Sequence, residues 1–142
     1  MAKNILLLNG PNLNMLGKRD PVLYGDITLK KVEAACEELA EKHGMNLKSE
    51  QTNYEGKLVE LIHEARETSD AIIINPGAYS HTSVAIFDAL EMFEGPIVEV
   101  HISNIHKRES FRHYSYVSQC ADSVIVGCGV QGLSLIHISE PT

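Results

Sequence analysis

Apolar and polar residues run along this chain in alternating blocks: a short apolar run, a segment whose apolar positions recur three and four apart, then another short run. Residues 4–8, NILLL, have the nearly continuous apolar character of a strand buried on both faces. Thr28 then stands as a helix N-cap, and Leu29, Val32, Cys36, Leu39 and Ala40 keep helical spacing until Gly44. Residues 46–52 predict a weaker strand, and Leu58, Leu61, Ile62 and Ala65 a second amphipathic helix that stops before Thr68 and Ser69. The clearest buried strand is 70–75. Asn75-Pro76-Gly77 breaks it, Thr82 or Ser83 caps a third helix carrying Val84, Phe87 and Leu90, and 97–101 and 123–127 supply a fourth and a fifth strand. Strands alternating with helices in this way imply right-handed βαβ units, hence an α/β fold around a five-stranded parallel sheet covered on both faces.

In open sheets of this kind ligands bind beyond the carboxyl ends of the strands, near a switch in strand order. Three polar clusters fall there. Asn9, Asn12, Arg19 and Tyr24 follow the first strand, in the loop LNGPNLNMLGKRDPVLYG at 8–25; residues 75–81 follow the third; His101, Ser103 and Asn104 follow the fourth. Singly, each has an ordinary reading, with Asn75 as a turn residue, His81 as a helix cap and Tyr24 as a half-buried anchor. Their convergence on one rim favours a site.

Composition narrows the classes. At 142 residues, 44% hydrophobic and 22% charged, the chain fits one globular domain, and its apolar runs are too short to span a bilayer. With no signal-peptide pattern at the start, a cytoplasmic protein is expected. A net charge of −7 argues against nucleic acid or an anionic membrane as the partner. Against that acidic background three of the four arginines, Arg19, Arg108 and Arg112, fall in two loop-like segments, as a pocket for a small anion requires. Cys36, Cys120 and Cys128 have neither disulfide-framework nor zinc-site spacing and read as buried free thiols. The G-x-G-x-x-G at 127–132 has only ten residues after it, too few for a dinucleotide-binding unit, so it reads as a turn. His101, His106 and His113 lack accompanying thiolates or carboxylates, so no metal site is expected.

The remaining chemistry is acid and base. Tyrosine has an ordinary pKa of about 10, and a guanidinium nearby favours the phenolate, so Arg19 and Tyr24, five apart in one loop, can form a general base. Glu99 and His101, at i and i+2 of one strand, point to the same side, where the carboxylate can hold the imidazole in one tautomer. Such a set suits removal of a proton beside a carbonyl and protonation of a leaving hydroxyl: a dehydration.

The segments LNGPNLNMLGKRDPVLYG, NPGAYSHTSVAIFDAL and EVHISNIHKRESFRHYS resemble, in order, the three signature segments of the type II 3-dehydroquinate dehydratases. The resemblance spans about residues 3–132. It implies a flavodoxin-like three-layer sandwich and a cofactor-free lyase of the shikimate pathway, which leads to chorismate and the aromatic amino acids. By that likeness Tyr24 is the proton acceptor, His101 the proton donor, and Arg19 the group that lowers the tyrosine pKa. Asn12 holds a water against the enolate and Glu99 orients His101. Asn75, His81 and Arg112 bind substrate hydroxyls, the amides of Ile102 and Ser103 bind the carboxylate, and Asp88 comes from a neighbouring subunit. The likeness also implies a homododecamer built from trimers, and a lid carrying Arg19 and Tyr24, with Gly17 and Gly25 letting it move and Pro11 and Pro21 limiting it.

Residues 1–132 are thus read as the catalytic domain. Residues 133–142, LSLIHISEPT, depart from the family's C-terminal helix, contain Ser134, His137, Ser139 and Pro141, and resemble a peptide translated from adapter DNA. The rival reading is a flavodoxin-like module that binds a small anion or regulates without turning anything over.

Overall fold

The computed structural model describes residues 2–18, 22, 27–127 and 129. Five strands, β1 (Asn4–Asn9), β2 (Asn46–Gln51), β3 (Ala71–Asn75), β4 (Ile97–His101) and β5 (Ser123–Val126), form one parallel sheet in the order β2-β1-β3-β4-β5. Helices α1 (Leu29–Lys42), α2 (Glu55–Thr68) and α3 (Val84–Glu91) make the crossovers. This is the flavodoxin-like order, with its switch between β1 and β3.

Side-chain alternation along the strands sorts the core into two halves. Ile5, Leu7, Ala71, Ile73, Val98 and Val100 pack on one face with Val32, Cys36 and Ala40 of α1. Leu6, Leu8, Ile72, Ile74 and Ile97 pack on the other with Leu58 and Ile62 of α2 and Ile86 and Leu90 of α3. Strands buried on both faces explain why β1 and β3 read as continuous apolar runs. β2 is an edge strand, NLKSEQ, whose Lys48 and Glu50 stand 3.7 Å apart and put charge on an otherwise open ladder.

Local chemistry sets the boundaries. Thr28 accepts from the Lys31 amide at the start of α1, and Gly44, at φ 69°, ends it. Ser83, rather than Thr82, caps α3, accepting from the Ile86 amide at 3.0 Å. β1 runs one residue past the expected 4–8, because Asn9 pairs in register with both Gln51 and Asn75. Asp70 stays outside β3; its carboxylate instead accepts from the Asn4 amide at 2.8 Å. Gly127 and Gly129 both have positive φ, and their amides donate to the carbonyls of His101 and Ile102, so the described part of the glycine-rich segment is a turn around the end of β4. The loop-like stretch between β4 and β5 is organised by three 3₁₀ turns, Ile105–Lys107, Ser110–Arg112 and Val117–Gln119. Cys128 and the tail at 133–142, where the family's C-terminal helix is expected to be truncated or atypical, lie outside the described residues; of the other two cysteines, expected as buried thiols, Cys36 is buried and Cys120 only half-buried. No helix among the described residues is long and apolar enough to cross a membrane.

Candidate active site

The carboxyl ends of β1, β3 and β4 meet in a cleft, and two glycines let them do so. The Gly10 amide donates to the Asn75 carbonyl at 2.8 Å, and a Cβ on Gly10 would lie 2.8 Å from the Pro76 carbonyl oxygen, so any side chain there would push the two loops apart. Gly77, at φ +59°, is turned against Pro11 in the same way. Pattern reading took Gly77 only as part of the strand break at Asn75-Pro76-Gly77 and did not single out Gly10, because this need for them arises from a contact between loops far apart in sequence.

Asn12, Asn75, His81, His101, Ile102, Ser103 and Arg112 all line this cleft. Asn12 takes a left-handed conformation, φ 71°, and its amide donates to Asn53 Oδ1 at 2.9 Å. Asn53 also receives Gln51 Nε2, and its carbonyl accepts the Tyr79 hydroxyl at 2.9 Å, so it ties three loops of the rim together. Sequence reading missed it, and no local pattern marks it. Asn75 Oδ1 accepts from the Gly77 amide. Arg112 Nε donates to Glu109 at 2.7 Å, and its guanidinium lies over the Phe111 ring. Arg108, which sequence reading counted only among the loop arginines, also lines the cleft and donates to Ser103 Oγ at 3.2 Å.

The two imidazoles stack with centroids 6.2 Å apart. His81 Nδ1 faces the Tyr114 carbonyl at 3.0 Å; a carbonyl only accepts, so Nδ1 carries the proton and Nε2 is left as an acceptor. Burial is the largest influence on His81 and lowers its pKa. The Tyr114 carbonyl opposes it, as does the nearby Glu99 carboxylate, while electrostatic repulsion from His101 and Arg112 adds to the lowering, and the net direction is down. His101 Nε2 donates to Glu99 Oε2 at 2.5 Å, in a wholly buried pair. Burial pushes the Glu99 carboxyl up, but the His101 hydrogen bond and charge, with the Ser115 and Ser118 hydroxyls, outweigh it and hold the group below its ordinary value. Glu99 is therefore an ionised carboxylate in the sheet interior.

The remaining expected residues are of two kinds. Asp88, on α3, is exposed and does not line it within one chain. Arg19 and Tyr24, with Pro21 and Gly25 of the expected lid, lie outside the described residues. His106 and His113 form a tilted ring pair at 5.9 Å beside the rim.

A flavodoxin-like α/β protein with a buried carboxylate–imidazole pair at the mouth of its sheet is built for proton transfer at a small polar molecule. Residues 3–137 match the family Dehydroquinase class II. The chain belongs to that family. It is 61% identical to a 3-dehydroquinate dehydratase of Bartonella bacilliformis over 132 residues, 93% of this chain and 84% of that one. It is 62% identical to the Streptomyces coelicolor protein of the same name over 129 residues, 90% of this chain and 82% of that one. The crystal structure of the type II dehydroquinase from Propionibacterium acnes superposes with a TM-score of 0.92 at 43% identity, covering 96% of this chain and 94% of that one.

Proposed function

We propose that this chain is a hydro-lyase that dehydrates 3-dehydroquinate to 3-dehydroshikimate through an enolate, in the shikimate pathway. The observation that supports this most directly is the buried Glu99–His101 pair on the cleft of a class II dehydroquinase chain. In this reading the Tyr24 phenolate, favoured by Arg19, takes the proton beside the ketone, and the electrons of that C–H bond form the enolate. Asn12 holds a water against the enolate oxygen. The enolate then collapses, the C–O bond breaks, and His101 delivers a proton so that the hydroxyl leaves as water. Asn75, His81 and Arg112 hold substrate hydroxyls, and the amides of Ile102 and Ser103 hold the carboxylate. The neighbour's Asp88 completes the site in a cytoplasmic homododecamer, a tetramer of trimers. No cofactor and no Schiff base enters.

Mixing the protein with 3-dehydroquinate tests the reading, because only the conjugated product absorbs in the near ultraviolet. A rising trace is expected; a flat trace from folded protein that still binds the substrate would favour the small-anion-binding module. Tyr24→Phe keeps the ring and removes the base, so it should lose about 10²–10⁴ in kcat with substrate binding retained. A loss under about tenfold would move the base elsewhere.

A further inference from the structure

Glu99 is fully buried, with Ile74 beside it on β3 and Val124 on β5, yet its carboxylate is saturated with donors. Oε2 accepts from His101 Nε2 at 2.5 Å and from Ser115 Oγ at 2.6 Å, and Oε1 accepts from Ser118 Oγ. Ser115 Oγ in turn accepts from the Ser118 amide at 3.3 Å, which leaves its own proton aimed at Glu99. The two serines stand three apart across the start of the Val117–Gln119 turn, so one turn of backbone supplies both hydroxyls. That turn is itself anchored: the Tyr116 amide donates to the Ser80 carbonyl at 2.8 Å, and the Tyr114 carbonyl just before it accepts from His81 Nδ1.

We propose that Ser115 and Ser118 are positioning residues for His101, acting through Glu99: their hydroxyls fix the carboxylate and weaken the hold of the pair on its proton, making His101 a better donor to the leaving oxygen. The catalytic consequence rests on the dehydratase reading; the effect on the pair does not. A hydroxyl stabilises a bare carboxylate more than one already neutralised by an adjacent imidazolium. Two such donors therefore favour the form in which the proton has gone. Other charged or titratable groups near the pair are His81 on the 3₁₀ turn after β3, Arg108 and Arg112 on the cleft wall, and Cys120 after the Val117–Gln119 turn. The α2 and α3 residues in this half of the core are apolar. None of these groups is itself altered when a serine is changed.

The test is a pH titration of the His101 ring by NMR in the ligand-free, ¹³C-histidine-labelled full chain, with the pH profile of kcat/KM measured alongside. In Ser115→Ala and Ser118→Ala the midpoint and the alkaline limb should both rise, by about one pH unit for the double variant, with kcat down about tenfold. Ser115→Thr and Ser118→Thr keep the hydroxyl and should restore both. Should the alanine variants fail to fold, Ser115→Cys replaces the hydroxyl by a weak donor of similar size and should move the midpoint in the same direction. An unmoved midpoint in folded variants, or a rise that threonine does not reverse, overturns the proposal. Absence of turnover by the unaltered protein would overturn the dehydratase reading while the ligand-free titration still decides the role of the serines.

Discussion

Two polar side chains are buried within one residue of the same level on opposite faces of the sheet, and they are treated in opposite ways. Glu99, on the α2/α3 face, has three donors on its carboxylate. Asn9 alternates with Ile5 and Leu7 on the α1 face, is fully buried, and has no hydrogen-bond partner for either amide atom among the described residues. An unpaired neutral amide costs about 1–3 kcal/mol, which a domain can carry, whereas an unpaired buried carboxylate would cost far more or take up a proton. The charged face is therefore the one that had to be built around its polar group, and it is the face that holds both histidines of the cleft.

The largest test of this contrast is Glu99→Ala. It leaves His101 and two serines buried around a cavity and should cost about 3–5 kcal/mol of unfolding free energy, read by urea denaturation, together with at least about a hundredfold in kcat. A change under about 1 kcal/mol would mean that the pair is not integral to the fold. Asn9→Leu exchanges the unpaired amide for an apolar group of similar shape and should raise stability by about 1 kcal/mol in the same assay; a loss would show that the amide is paired in solution.

The helix caps repeat the contrast on a smaller scale. Ser83 is buried and accepts at 3.0 Å, whereas Thr28 is exposed and accepts at 3.4 Å. Ser83→Ala should cost about 1 kcal/mol and Thr28→Ala about half that, with equal costs contradicting the difference in burial. The smallest effect is on pH dependence. His81 is held below its ordinary value of 6.5, so on acidification the unfolded chain binds that proton first, and stability is full above that pH and lost as pH falls through the folded value. Glu99 repeats the same sign below 4.5. His81→Asn should flatten the upper window of a stability–pH curve and leave the lower one, whereas a curve of unchanged shape would show that His81 titrates alike in both states.

Period-two alternation was enough to bring Glu99 and His101 to one side, because the geometry of a strand is local and repeats every second residue. The caps at Thr28 and Ser83 and the break at Asn75-Pro76-Gly77 were legible for the same reason: each is decided within four or five residues. The serines that hold Glu99 stand 16 and 19 residues from it, and Asn53 stands 41 from the Asn12 amide it receives. Nothing in their own neighbourhoods distinguishes these from solvent-facing polar residues in turns. Gly10 is needed only because the backbone just after β3 comes so close that a Cβ there would lie 2.8 Å from the Pro76 carbonyl oxygen. Local periodicity and turn chemistry therefore determined the elements, their order and the end of the sheet where the cleft lies. Which polar groups satisfy the buried carboxylate, and which amide is left unpaired, was decided only when long-range packing brought separate loops together.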